Sequence, residues 1–268
     1  MKEKNMARKA LLYLSLKHNG NYQKILDDLN QKAEIPEQEL KDIESKINSK
    51  YVTIFDDDYP RALKCLCKMP FVLYYYGDIS ILKDFRKCIA IIGSRVPDDY
   101  GMSATLDLAR EVADDYVVVS GMAKGIDAFA HQGAMEVGGK TVAVLGCGID
   151  ICYPTVNAEL YGKLKQTQLI ISEYPNYTEP QPDNFPWRNR IIAGLSVALV
   201  VTQANCHSGT SITVSRMLEL FRAVCAVPHP YNDDSFCNTL IADGAKLVTC
   251  KKDIEDEIRT LGLDKIEL

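Results

Sequence analysis

Between Asp183 and Ser196 the chain sets two aromatic rings, Phe185 and Trp187, and two guanidinium groups, Arg188 and Arg190, within six residues, with Asn189 between the arginines. Pro186 fixes its own φ and disfavours helix at the residue before it, so a helix is expected to begin near Pro186 or just after it. That puts rings and guanidinium groups at a helix N-terminus, where free N–H groups and the macrodipole already favour an anion. Arginines beside aromatics suit a ligand that carries both phosphates and flat bases. A solvated basic helix start is the plainer alternative. The surroundings of the segment decide between them.

Four other short stretches have the residue types that hold phosphate. They are Gly93-Ser94-Arg95, Gly121 to Asp127 with Lys124 and Gly125, Gly146-Cys147-Gly148, and Ser208-Gly209 running on to Thr213. Glycines let a ligand approach the backbone, and small hydroxyls with free N–H groups at a helix start can cradle an anion. The spacing from Gly93 to Gly101 does not fit G-x-G-x-x-G, which argues against a dinucleotide cofactor. Asp127 and Asp150 read as turn-holding residues. His131 reads as a packed helix residue, and Cys147 as a small residue in a tight turn rather than a reactive thiol. His207 beside Ser208 suggests a base and a nucleophile, but sequence neighbours rarely align that way.

The elements that must position these loops are legible as a change of pattern along the 268 residues. Residues 1–50 read as a small helical module, with leucines crowding residues 11–16, a second apolar segment from Tyr22 to Leu29, and a third helix opened by Pro36. Residues 51–268 form the main domain. Tyr51–Phe55 and Phe71–Tyr76 are strand-like. Strands and helices then alternate: Cys88–Ile92, a helix over Gly101–Ala113, Tyr116–Ser120, a helix over Ala128–Val137, Thr141–Leu145, Leu169–Ser172, Val197–Val201, a helix over Ser211–Phe221, Val224–Val227, and Lys246–Thr249. Near-continuous apolar strands alternating with helices predict a mostly parallel sheet covered on both faces, an α/β doubly wound, Rossmann-like fold. Ligands of such sheets bind at the carboxyl ends of the strands, where all the glycine loops fall.

Composition narrows the classes. The net charge of −5 argues against a protein that coats duplex DNA non-specifically, but leaves room for a focused basic groove. No apolar run approaches the ~18 residues of a membrane span. The nine cysteines are scattered without a Cys-x-x-Cys and the four histidines are far apart. Neither a metal site nor a disulfide framework is expected, and reduced thiols fit a cytoplasmic protein.

The combined motifs resemble the DprA/Smf family of DNA-processing proteins of bacterial natural transformation. The matching stretches include Ile91 to Arg95, Ser120 to Asp127, Leu145 to Asp150, Tyr153-Pro154 with Asn157, Ser172 to Pro175, Phe185 to Ser196, Ser208-Gly209 and Ala226 to Pro228. The resemblance implies an extended Rossmann fold that binds single-stranded DNA, forms a homodimer, hands the strand to the recombinase RecA, and catalyses no reaction. It implies a DNA site at Gly93, Ser94, Arg95, Gly121, Lys124, Gly125, Phe185, Arg188, Asn189, Arg190, Ser208 and Gly209. Phosphate contacts fall to Arg95, Lys124 and Arg188, base stacking to Phe185 or Trp187, and Arg190 is the candidate brace. The chain departs from the family pattern at Thr155 and Ala158, where many relatives carry lysines, and at Gln203, Phe221 and His229. Residues 253–268 are too short for the winged-helix domain of many relatives. The alternative is an enzyme similar to the LOG-type nucleotide hydrolases, with Glu219 as its carboxylate, or a nucleotide-sensing Rossmann protein.

Overall fold

The computed structural model describes residues 2–205, 208–231, 233 and 235–266. The first three helices are α1 (Lys2–Lys17), α2 (Tyr22–Asn30) and α3 (Glu37–Lys41). Asn21 caps α2, its side-chain oxygen accepting the Lys24 N–H at 3.1 Å. Leu11, Leu12 and Leu14 of α1, Ile25 of α2 and Ile43 share one buried cluster with Phe71, Tyr74 and Ile170 of the main body. The helices therefore form a wall of the main core. No helix among the described residues is long and apolar enough to cross a membrane.

The rest of the chain builds one sheet. Its strands are β1 (Lys50–Thr53), β2 (Val72–Tyr76), β3 (Cys88–Ile92), β4 (Val117–Ser120), β5 (Thr141–Leu145), β6 (Leu169–Ser172), β7 (Ala198–Val201), β8 (Ala223–Ala226) and β9 (Lys246–Leu247). The order is β1-β2-β6-β5-β4-β3-β7-β8-β9. From β6 to β9 every pair is parallel; β1 on β2 and β2 on β6 are antiparallel. The helices between and after the strands are α4 (Asp99–Ala113), α5 (Ile126–Glu136), α6 (Ala158–Thr167), α7 (Asn184–Leu195), α8 (Thr210–Glu219), α9 (Phe236–Ala242) and α10 (Lys251–Thr260).

Strand β3 shows why its sequence is apolar throughout. Cys88, Ala90 and Ile92 enter the cluster that holds Ile191, Ile192 and Met217 of α7 and α8. Ile89 and Ile91 enter the cluster that holds Leu108, Val112, Ala130 and Ile254 of α4, α5 and α10. Alternate residues face opposite layers of helix, so neither register can be polar. The doubly wound α/β sheet expected from the sequence is what the chain forms.

Helices α9 and α10 were not expected from the sequence, and two further elements differ from expectation. Helix α7 starts at Asn184, two residues before Pro186, which lies inside the first turn. First-turn N–H groups have no intrahelical acceptor, so proline costs no hydrogen bond there. Helix α6 was not expected; its buried apolar residues are only Leu160 and Leu164, one i,i+4 pair.

Candidate nucleic-acid interface

Strand β3 lies between β4 and β7. The chain leaves β3 for α4 on one face and leaves β7 for α8 on the other, so the loops after these neighbouring strands part. Such a switch point opens a crevice at the strand ends. Here the crevice has a volume of about 360 Å³ and is lined by Gly93, Ser94 and Arg95 after β3, by Asn205, Ser208 and Gly209 after β7, and by Phe185, Arg188 and Asn189 of α7.

The backbone locks these loops together. The Ser94 N–H donates to the Gln203 carbonyl at 2.7 Å, and the Ile126 N–H donates to the Ser94 carbonyl at 3.0 Å. A Cβ on Gly93 would overlap that same Gln203 carbonyl oxygen, so only glycine allows the approach. Gly125 holds φ at 84°, a left-handed conformation, against the Ser94 carbonyl. Gln203 still supplies an acceptor, its side-chain oxygen taking the Asp98 N–H at 3.0 Å. At the floor, the Gly121 N–H donates to Asp127 Oδ2 at 3.1 Å while its carbonyl accepts from Arg188 Nη1 at 2.7 Å. Arg188 Nη1 also donates to the Val144 carbonyl, and its Nε donates to Asn189 Oδ1 at 3.1 Å. Burial dominates both charged groups, pushing the Asp127 carboxyl up and the Arg188 guanidinium down; their mutual attraction opposes each shift.

The residues at the mouth are freer. Arg95 and Lys124 are exposed, and neither takes part in an ion pair or side-chain hydrogen bond among the described residues. The Ser208 hydroxyl is buried in the wall with no partner among the described residues. It stands at the entry to α8, whose N-terminal backbone faces the crevice through Gly209 and Thr210. The Phe185 ring lies 5.3 Å from that of Tyr153, tilted by 34°. The site therefore offers a guanidinium, a hydroxyl, a helix N-terminus and a ring pair around one opening, a set matched to an anionic chain carrying flat bases.

The expected residues divide. Gly93, Ser94, Arg95, Phe185, Arg188, Asn189, Ser208 and Gly209 line the crevice. Gly121 and Gly125 lie beneath it as supports, and Lys124 stands on the adjoining loop. Arg190 faces elsewhere: residues two apart on a helix do not share a face. Its Nη2 donates to both Glu173 carboxylate oxygens, at 2.6 and 2.8 Å, and its Nε donates to the Lys68 carbonyl at 2.9 Å. Trp187 turns the same way and donates from its indole to Glu173 at 3.1 Å. Asn205 was not singled out from the sequence, and nothing in its local pattern marks it. His207 lies outside the described residues.

Other expectations have a structural counterpart. Lys163 and Lys165, the nearest lysines after Tyr153-Pro154, are paired with Glu159 and Asp150. Phe221 holds φ at 53°, the left-handed conformation glycine would favour after α8, and is 86% exposed. His229 donates from Nε2 to the Thr202 carbonyl at 2.9 Å. The Cys147 thiol is buried and pushed up to about 12, which keeps it unreactive. Glu219 closes the far end of α8, about 13 Å along the axis from its first residue, and pairs with Arg216.

His131 is buried in the layer beside β4 and β5. The Thr141 hydroxyl donates to the Val118 carbonyl, so at 2.7 Å it accepts from His131 Nδ1, which leaves Nε2 bare. Burial, with Arg188 adding to it, holds the ring down to about 3. In the unfolded chain the value is about 6.5, so between the two the unfolded state binds the proton and the folded state does not. The neutral ring's contribution is complete above about pH 6.5 and falls with acidification by up to about 1.4 kcal/mol per pH unit. Urea midpoints of His131→Leu should decline less steeply than those of the parent from about pH 6.5 to 4.5. Parallel declines would assign the acid sensitivity elsewhere.

Comparison with known proteins fits this geometry. The sequence pattern of DNA recombination-mediator protein A matches residues 50–259. The chain belongs to this family. It is 40% identical over 204 residues to the DNA processing protein DprA of Streptococcus pneumoniae, a match covering 75% of this chain and 72% of that protein. The X-ray structure of the S. pneumoniae DprA superposes with a TM-score of 0.77 at 33% identity, covering 95% of each chain. A DNA processing protein A from Helicobacter pylori, studied for its single-stranded DNA binding mode, superposes with a TM-score of 0.70 at 31% identity. That match covers 82% of this chain and 99% of the H. pylori chain. As a DprA-family member, the chain sits among DNA-processing and recombination-mediator proteins.

Proposed function

We propose that the chain binds single-stranded DNA in the switch-point crevice, protects it, and loads RecA onto it during DNA uptake. Arg95 and Lys124 contact phosphates, joined by the Ser208 hydroxyl and the first turn of α8. Phe185 and Tyr153 offer a stacking surface, Arg188 holds the wall, and no bond is made or broken. The observation that carries this reading is one crevice lined by Arg95 and by the N-terminus of α8, with Lys124 exposed on the adjoining loop. It is supported by a relative of similar fold whose single-stranded DNA binding has been described. The protein acts as a homodimer in the cytoplasm. Leu218 and Phe221, 59% and 86% exposed at the end of α8, are apolar surface that a second copy would cover.

Fluorescence anisotropy of labelled oligo-dT at two salt concentrations tests the site. Arg95→Ala/Lys124→Ala should bind more weakly, with a log–log salt slope shallower by roughly 1.4, about 0.7 per lost contact on a single strand. An unchanged slope would move the phosphate path away from this crevice. RecA filament assembly on oligo-dT coated with single-strand-binding protein, with and without the chain, tests loading. No acceleration would leave DNA binding without the hand-over. Release of free base from nucleoside monophosphates, abolished by Glu219→Ala, would instead favour the hydrolase.

A further inference from the structure

A second cleft, with a volume of about 580 Å³, opens where the N-terminal helices meet the main domain. It lies on the other side of the first turn of α7: Asp183, Asn184 and Trp187 line it, whereas Phe185, Arg188 and Asn189 line the DNA crevice. Its walls are aromatic. The Tyr22 ring stacks on Phe71 at 5.0 Å and leans toward Trp187 at 5.7 Å. Tyr177 is 68% exposed, and its hydroxyl accepts from the Asn48 side chain at 3.2 Å, which holds the ring in place. The Asn176 side chain donates to the Lys46 carbonyl at 2.8 Å, tying the same segment to the helical module.

The charges of the cleft are the reverse of those in the DNA crevice. Glu179 and Asp183 line it as exposed carboxylates, and neither is in an ion pair among the described residues. His18 also lines it, but its Nε2 is bound to Asp28 at 2.8 Å. Carboxylates beside ring faces repel phosphate and attract organic cations, by Coulomb attraction and by the ring quadrupole together. Gln181 and Asn184 add side-chain amides, which can pair with the N–H and C=O groups of a peptide. The cleft is far roomier than one guanidinium needs.

We propose that this cleft docks a peptide segment of a partner protein through an arginine side chain. The guanidinium lies against Tyr22 and Tyr177, within reach of Glu179 and Asp183, while Trp187, whose ring already faces Arg190 at 4.3 Å and Lys68 at 5.3 Å, forms the wall behind. The flanking backbone meets the amides. This site is separate from the DNA-binding reading and does not depend on it.

Trp187 is the chain's single tryptophan, so intrinsic fluorescence of the 268-residue chain reports on the cleft directly. The probe is the capped peptide acetyl-Gly-Arg-Gly-amide. A saturable change at about millimolar peptide is expected, as suits a tripeptide with few contacts. The citrulline counterpart, equal in shape and uncharged, should bind about tenfold more weakly, and Glu179→Gln/Asp183→Asn should weaken the arginine peptide by a similar factor. Tyr177→Ala should also weaken it, while oligo-dT anisotropy stays at the parent value in both variants. Equal binding of the citrulline peptide, full affinity in Tyr177→Ala, or no saturation by roughly ten times that concentration would overturn the proposal. So would spermidine binding as tightly as the peptide. If oligo-dT shifts the Trp187 signal and the arginine peptide cannot compete, the cleft takes bases and the proposal fails.

Discussion

Arg188→Met is expected to lower folding stability by about 3–5 kcal/mol, because it leaves a buried partner without its counter-charge. Arg188 is 5% exposed and Asp127 6%. Methionine has similar length but no donors, so the Gly121 and Val144 carbonyls lose their shared guanidinium and Asp127 faces no cation. Urea unfolding of parent and variant gives the difference. Adding Asp127→Asn should recover more than about 1 kcal/mol, the sign of electrostatic coupling between the two buried groups. A loss under about 1 kcal/mol in the single variant, or no recovery in the double, would show that the two charges do not support each other. The double variant also separates two roles in DNA binding. As a wall-holding residue, Arg188 leaves the oligo-dT salt slope unchanged when the fold is intact; as a phosphate ligand it takes about 0.7 from that slope.

Glu173→Ala should have an effect of similar size on the other side of α7. Glu173 and Arg190 have side chains 5% and 7% exposed, and the same carboxylate accepts the Trp187 indole N–H. Removing it strands a buried guanidinium, again at about 3–5 kcal/mol. For a domain of this size that corresponds to a fall in Tm of roughly 6–20 °C. Calorimetry checks it, with Glu173→Gln as the control that keeps acceptor atoms in place and should lose less. A Tm within about 2 °C of the parent would mean that Arg190 finds other acceptors or reaches water.

These twin arginines mark the limit of what the sequence alone makes legible. The apolar runs Cys88–Ile92 and Thr141–Leu145 could only be strands buried on both faces, and with the helices between them they make the doubly wound sheet predictable. The loops at their ends then mark the crevice, so Gly93, Ser94, Arg95 and Ser208 could be named in advance. What each arginine in Phe185–Ser196 meets was not readable. Arg188 and Arg190 differ by two positions in one helix, and their partners come from residues 121, 144, 68 and 173. Nothing local records such long-range pairings. Helix α6 was missed because one buried leucine pair gives almost no periodic signal. The cleft beside α7 was missed because its walls come from residues 18–23 and 174–187, which are distant in sequence.

The shared core of the N-terminal helices bears on how the protein can be cut. Phe71, Tyr74 and Ile170 are covered by Leu11, Leu12, Leu14 and Ile25. A version beginning at β1 would keep every crevice residue yet leave a greasy flank beside the antiparallel end of the sheet. Such a fragment should self-associate and precipitate rather than behave as a minimal DNA binder. Shortening the chain safely would require polar replacements on that flank first.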